Sequence, residues 1–200
     1  MSEYQERFGR EKFVELLEFR LTSSELRRVM RAYKLAKYGH KDQRREDGER
    51  YFEHPKAVAL ILIQELKLFD ADTIIAALMH DLQEDSFILD WEDIEDLFGK
   101  DVARYVRAVT KEPKKNYLEN LLEAPTPAIF VKLADRLHNL RTLSACRPEK
   151  QLKQIKETRE KYVKLMDELR RRLPQNEAWR AAYLKEQILG RCTEVEKEIA

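Results

Sequence analysis

Apolar residues recur every three or four positions along most of this chain, and short polar clusters break the pattern into segments. That period marks amphipathic helices. The first clear segment opens at Thr22-Ser23-Ser24-Glu25, a capping box with Glu25 at the third helical position. Leu26, Val29, Met30, Tyr33 and Ala36 follow on one face, and the pattern fades at Tyr38-Gly39. Residues 39–53, GHKDQRREDGERYFE, read as a polar loop. Helix resumes at His54-Pro55, where proline suits the first turn, with Ala57, Leu60, Ile61 and Leu66 on its apolar face. Asp70-Ala71-Asp72-Thr73 opens the run IIAALMHDLQED, apolar almost all round until His80, which predicts a buried central helix. Asp90-Trp91-Glu92-Asp93 starts a short helix closing at Phe98-Gly99, and residues 101–110 make another. The segment KEPKKNYLEN reads as charged and mostly exposed. Pro125 and Pro127 introduce the helix AIFVKLADRLHNLRTL. A long helix spans about 148–173, supported by Glu157/Lys161 and Glu160/Lys164 at i,i+4, and Pro174 ends it. Residues 176–200 predict one more helix with a frayed end. No repeat and no convincing strand pair appears. The fold class is all-α: a single helical bundle of about eight or nine helices. Residues 25–173 form its main domain, with an N-terminal helical extension over 1–24 and a C-terminal one over 174–200.

Composition narrows the picture. Five glycines and six prolines leave few turns, which agrees with helices, and 43% hydrophobic residues suffice for one core. Lys+Arg number 38 and Asp+Glu 37, for a net charge of +1, which argues against a general coat for nucleic acid polymers. No apolar run nears the roughly 18 residues of a membrane span. The N-terminus, MSEYQERFGREKF, has no signal-peptide core. Cys146 and Cys192 read as reduced, inert thiols of a cytoplasmic protein. Charge is uneven: eight Lys/Arg and one acid in 27–45, nine acids and one Lys in 81–101. These are either two solvated faces or a phosphate-attracting wall opposite a metal-attracting one, and charge alone leaves both open.

The histidines carry the candidate chemistry. His80 is followed at once by Asp81 near the end of an apolar helix, where a polar pair is costly to bury without a partner such as a divalent metal. His54 starts a helix at the edge of the polar loop, and Asp135 follows the run AIFVKLA, which places it deep in the fold. Glu84 lies four residues after His80 and Asp85 four after Asp81, so each pair shares a helix face. Two His and two Asp suit Mn²⁺, Fe²⁺ or Mg²⁺, and also Zn²⁺. His138 reads as a structural hydrogen-bonding residue, and His40 either as a helix-end or loop-packing residue or as a catalytic one. Arg136 and Arg141 read as salt-bridge partners, and Trp91 and Phe98 as core. Trp179, Tyr183 and Leu184 mark a helix face that packs on the core or on another copy of the chain, which leaves a homo-oligomer open.

His54-Pro55, His80-Asp81 with Glu84-Asp85, and the string VKLADRLHNLR resemble the HD-domain metal phosphohydrolases. More narrowly they resemble the hydrolase domain of the RelA/SpoT homologues, which degrade the alarmone (p)ppGpp. His40-Lys41-Asp42-Gln43-Arg44-Arg45, Gly48, Tyr51, Phe98-Gly99, Val102-Ala103 and Val109-Thr110-Lys111 also fit, so the resemblance covers roughly 25–165. The length favours the single-domain small alarmone hydrolases. The resemblance implies one Mn²⁺ held by His54, His80, Asp81 and Asp135, with Glu84 and Asp85 positioning or deprotonating the attacking water. It implies that Arg45 stacks on the nucleobase and that Asn139 and Thr142 line the nucleoside pocket. The implied reaction removes the 3′-pyrophosphate of the nucleotide, giving GDP or GTP. Lys41, Arg44, Arg45 and Lys132 are candidates for stabilising phosphoryl charge. One departure bears on the base: after the arginine, where the family usually has Lys and Ser, this chain has Glu46 and Asp47. Carboxylates accept from exocyclic amines and repel a guanine O6, which admits an adenine alarmone, NADPH or another nucleotide. A non-catalytic nucleotide-binding module is the third alternative.

Overall fold

The Thr22 capping box forms as predicted. Glu25 N donates to Thr22 Oγ1 at 3.3 Å and Thr22 N to Glu25 Oε2 at 2.8 Å, which starts α2 (Ser23–Gly39). The computed structural model describes residues 9–85, 89–111 and 117–199. Before α2 lies α1 (Arg10–Glu15), which buries Phe13. After α2 the polar loop crosses to α3 (Glu53–Leu60) with one isolated bridge, Arg44 to Arg50. Gly48 takes φ +82 in that loop, a left-handed conformation a side chain would strain. Asp70 caps α4 (Ala71–Met79) by accepting from Thr73 N at 2.8 Å. Every residue of α4 except Asp72 is buried, and the helix packs against α2, α3, α7 (Lys100–Val109) and α9 (Thr126–Arg141). It is the central helix the apolar run predicted. A second capping box, between Asp90 and Asp93, starts α6 (Trp91–Phe98). Phe98 is buried and Trp91 half-buried. Two rods close the bundle: α10 (Pro148–Glu157) continued by α11 (Val163–Arg172), and α12 (Ala178–Ile199). Among the described residues there is no strand, and no helix is long and apolar enough to cross a membrane.

Four details differ from the sequence reading. The helix expected over 70–85 is interrupted: α4 ends at Met79 and α5 is Leu82–Asp85. His80 Nδ1 donates to Ala77 O at 2.8 Å, so its ring competes for a carbonyl that an unbroken helix gives to backbone N–H groups. Residues 112–116 of the segment read as exposed lie outside the described residues, and its last four residues open α8 (Tyr117–Glu123), which buries Leu121 and half-buries Tyr117. Wide π turns extend α3 over Ile61–Glu65 and join α10 to α11 over Thr158–Tyr162. The last helix does not fray before Ile199, because Cys192 and Val195 are fully buried under it.

Helix α9 is fixed from several sides. Arg136 donates to Glu157 Oε2 at 2.6 Å and its guanidinium lies 3.9 Å from the Tyr162 ring centre. Arg141 grips the buried Glu65 with both nitrogens, at 2.6 and 2.8 Å. Tyr183 of α12 donates to the same carboxylate at 2.6 Å, and Arg191 Nε donates to Leu140 O at 3.3 Å. The two arginines are the salt-bridge partners the sequence suggested. Leu184 is buried beside Tyr183, while Trp179 stays 43% exposed.

Candidate metal centre

Three elements converge on one point. The first turn of α3 supplies His54, the break between α4 and α5 supplies His80 and Asp81, and the middle of α9 supplies Asp135. His54 Nε2 lies 3.4 Å from Asp81 Oδ2 and 3.2 Å from Asp135 Oδ1. His80 Nε2 lies 3.2 Å from Asp81 Oδ1 and 3.8 Å from Asp135 Oδ1. Donor atoms of His54, His80 and Asp81 all fall within 4.8 Å of one another. His80 Nε2 is buried and has no hydrogen-bond partner among the described residues. An orphaned imidazole nitrogen facing two carboxylates fits a divalent cation, which would take that lone pair and balance both charges.

The surroundings aim these donors. His80 Nδ1 is committed to Ala77 O, which leaves Nε2 as the ligand atom. His54 Nδ1 lies 2.8 Å from His138 Nδ1, which leaves its Nε2 facing the centre in the same way. Tyr51 Oη donates to Asp81 Oδ2 at 2.9 Å. Lys132 Nζ lies 3.0 Å from Asp135 Oδ2, and Asn139 Nδ2 donates to Asp135 Oδ1 at 2.5 Å. His138 is therefore the hydrogen-bonding residue expected, with His54 of the cluster as its partner. Replacing His138 by Phe removes that partner and should weaken metal binding by roughly tenfold to a hundredfold in a calorimetric titration. An unchanged affinity would show that His54 needs no such support.

Charge in the cluster is strongly coupled. Burial pushes the His80 imidazolium down, but Asp81 and Asp135 outweigh it and raise its pKa to about 9. Burial alone would raise Asp135; the Lys132 ammonium and the neighbouring His54 and His80 hold it well below the usual carboxylate range. Asp81 is lowered, the charges of His80 and His54 outweighing burial. His54 is lowered chiefly by burial, and His138 well lowered by burial and the neighbouring His54.

A second group of side chains adjoins the centre through Asn139. Arg45 Nη2 donates to Asn139 Oδ1 at 2.9 Å and to Thr142 Oγ1 at 3.4 Å, and its guanidinium lies 5.9 Å from the Tyr51 ring centre. Arg45, Asn139 and Asp135 thus form one hydrogen-bonded chain. His40 is buried, stacks on Tyr51 at 4.7 Å and pairs with Gln43 at 2.6 Å, which is loop packing. Lys41 is not brought into this group: its contacts among the described residues are the Tyr38 ring and Asp42. Glu46 pairs with Lys150 Nζ at 2.6 Å, and Asp47 accepts from Glu49 N at 2.9 Å. The side chains of Glu84 and Asp85 lie outside the described residues; their backbone is in α5, one turn beyond His80-Asp81. A cleft of about 1230 Å³ runs between the 44–53 loop, α3, α9 and α12. His138 and Thr142 stand in its wall, and His54, His80, Asp81 and Asp135 do not.

Two contacts escaped the sequence reading. Tyr51 was legible only as a position fitting a resemblance, although its spacing, one helical turn before His54, could have suggested a supporting role. Lys150 gave no signal, since its partner is 104 residues away.

Comparison with known proteins agrees with this geometry. The HD domain matches residues 32–126, which include His54, His80 and Asp81 and stop short of Asp135. The bifunctional (p)ppGpp synthase/hydrolase SpoT of Escherichia coli K12 is 38% identical over 172 residues, covering 80% of this chain and 24% of that protein. A guanosine-3′,5′-bis(diphosphate) 3′-pyrophosphohydrolase of Aquifex aeolicus is 44% identical over 151 residues, covering 70% of this chain and 21% of its own length. The chain thus spans about a quarter of the curated relatives it matches. A solved structure of a metazoan ortholog of SpoT that hydrolyzes ppGpp superposes with a TM-score of 0.65 at 30% identity, covering 80% of this chain and 94% of that one. With the motifs, the ligand geometry and near-complete coverage of that structure in agreement, the chain belongs to the HD-domain family of SpoT-related ppGpp pyrophosphohydrolases.

Proposed function

We propose that this protein is a Mn²⁺-dependent 3′-pyrophosphohydrolase of (p)ppGpp-type alarmones. The observation that carries the reading is the meeting of His54, His80, Asp81 and Asp135 around the orphaned His80 Nε2, with Arg45 tied to that cluster through Asn139. The named activities of its relatives supply the substrate class.

A bound divalent cation supplies positive charge against phosphoryl oxygens and eases the ionisation of water. His54, His80, Asp81 and Asp135 would hold it. Arg45 offers a planar cationic face held by Asn139 and Thr142, on which a purine stacks. Glu84 and Asp85 follow the ligand pair on α5 and are the groups assigned to accept the proton of the attacking water. Water oxygen bonds to the phosphorus attached to O3′, the P–O3′ bond breaks, and O3′ leaves with a proton. The products are GDP or GTP and pyrophosphate. Lys132 keeps Asp135 ionised from 3.0 Å and adds positive charge beside the phosphoryl site.

The test is a hydrolysis panel with the purified protein and Mn²⁺, Mg²⁺ or Zn²⁺ in turn, against ppGpp, pppGpp, their adenine counterparts and NADPH. Pyrophosphate release from an alarmone, greatest with Mn²⁺ and lost in Asp81→Ala, is expected. Turnover of NADPH alone, or none with metal bound, would overturn the reading.

A further inference from the structure

The two carboxylates of the cluster are not held alike. Asp135 has Lys132 Nζ at 3.0 Å and accepts from Asn139 Nδ2 at 2.5 Å, both from its own helix. Asp81 turns Oδ1 toward His80 Nε2 and Oδ2 toward His54 Nε2. Its further side-chain donor among the described residues is the Tyr51 phenol, which reaches Oδ2 at 2.9 Å from the end of the loop before α3. Tyr51 also meets His54. Its carbonyl accepts from His54 N at 2.9 Å, and the two rings stand edge to face, 6.1 Å between centres. One loop residue therefore touches two of the four residues of the cluster.

Tyr51 is itself held by the start of the same loop. Its N–H donates to Gln43 O at 3.0 Å, and Gln43 Oε1 accepts from His40 Nδ1 at 2.6 Å. The His40 ring lies on the Tyr51 ring, 4.7 Å between centres and 27° from parallel. His40 is 1% exposed, and its buried Nε2 has no hydrogen-bond partner among the described residues. An unpartnered buried nitrogen costs free energy that an apolar side chain would not. Packing alone is served by an apolar residue; the bond to Gln43 needs the imidazole. We propose that Tyr51 is a positioning residue of the metal centre: its phenol sets the Asp81 carboxylate toward the cation, and His40, by stacking and through Gln43, holds Tyr51 in register. A carboxylate pinned at one oxygen by a neutral donor is oriented before the cation arrives, so less order is lost on binding. The inference rests on the metal centre of the proposed function and not on its substrate.

The experiment titrates the chelated chain with Mn²⁺ by calorimetry and records the visible absorption of the Co²⁺-loaded chain, whose bands report the arrangement of its ligands. Tyr51→Phe removes one oxygen and keeps the ring for His40 and His54. It should weaken Mn²⁺ binding by roughly tenfold and shift the Co²⁺ bands, with the melting temperature of the chelated protein within about 4 °C of wild type. His40→Leu removes the unpartnered nitrogen together with the bond to Gln43. It should weaken Mn²⁺ binding by a smaller factor. Joined to Tyr51→Phe, it should weaken binding no further than Tyr51→Phe alone, because both act through one hydroxyl. An unchanged Mn²⁺ affinity in Tyr51→Phe overturns the proposal. So does a loss of affinity with unaltered Co²⁺ bands, the mark of a general loosening of the fold. An additive loss in the double variant also overturns it, since His40 would then act by a route of its own. If the wild type binds Mn²⁺ but hydrolyses no alarmone, the substrate reading falls alone and the titrations still decide this inference. If the wild type binds neither ion, the metal centre and this inference fall together.

Discussion

Asp135→Ala should slow hydrolysis by about a thousandfold or more, the several kcal/mol that a metal ion contributes, and should lower the melting temperature by roughly 10 °C. Both effects have one origin. Asp135 lies within 3.8 Å of both histidine donors, accepts from Asn139 and neutralises the buried Lys132. Removing it deprives the cation of a ligand and leaves an ammonium unpaired in the interior, a loss of about 3–5 kcal/mol when a buried ion pair is broken. The two effects separate in a double variant. Adding Lys132→Met to Asp135→Ala removes the stranded charge and should recover most of the melting temperature, while hydrolysis stays lost. Thermal unfolding and a pyrophosphate-release assay on the single and double variants decide the matter. If activity returned with stability, Asp135 would be a scaffold residue and not a ligand.

The second large effect concerns pH. In the metal-free protein, folding raises the pKa of His80 from 6.5 to about 9, so the fold binds this proton more tightly than the unfolded chain does. The stability this contributes is fully present below pH 6.5 and is lost as pH rises through 9. A shift of that size corresponds to about 3 kcal/mol. Metal reverses the dependence. The cation needs the lone pair of Nε2, so it displaces the proton, and apparent affinity should rise about tenfold per pH unit from neutrality to pH 9. Urea unfolding of the chelated and the Mn²⁺-loaded protein at pH 6.5 and 9 tests this. The chelated form should weaken at the higher pH and the loaded form should not. Equal stability of the chelated form at both values would show that the proton on His80 does not hold the carboxylates together. The depressed carboxylates Asp81 and Asp135 act at the other end, their stabilising share being lost only as pH falls through their lowered pKa values.

The helices were legible wherever local chemistry fixes them. Thr22 with Glu25 and Asp90 with Asp93 state their helix starts in the sequence, and the apolar run after Asp70 allows nothing but a buried helix. That His80 and Asp81 stand at a buried polar cluster was legible because His-Asp at the end of that run is costly to bury without a partner; that His54 and Asp135 join them came from the resemblance. What escaped depends on contacts distant in the chain or on small backbone departures. The π turn at Ile61–Glu65 has the same apolar spacing as an α-helix. Helix α8 is only seven residues long, and although Tyr117, Leu118, Leu121 and Leu122 pack on the core, it is too short for its period to stand out from the charged segment before it. The break after Met79 comes from a side chain taking a backbone carbonyl, which hydrophobic pattern does not encode. Glu46 was read by its charge alone, and its ion partner Lys150 is 104 residues away in the chain.

The clamp around Glu65 sets an order of events as the chain is made. Glu65 is buried, and its full set of partners includes Tyr183, 118 residues later; the Leu140 carbonyl of α9 is met by Arg191, 51 residues later. A ribosome therefore delivers His54, His80, Asp81 and Asp135 well before it delivers the helix that secures the one bearing Asp135. During that interval the nascent chain holds its histidines and carboxylates without the framework that aims them. The bracing of α9 by α12 thus comes later along the chain than every residue of the cluster it steadies.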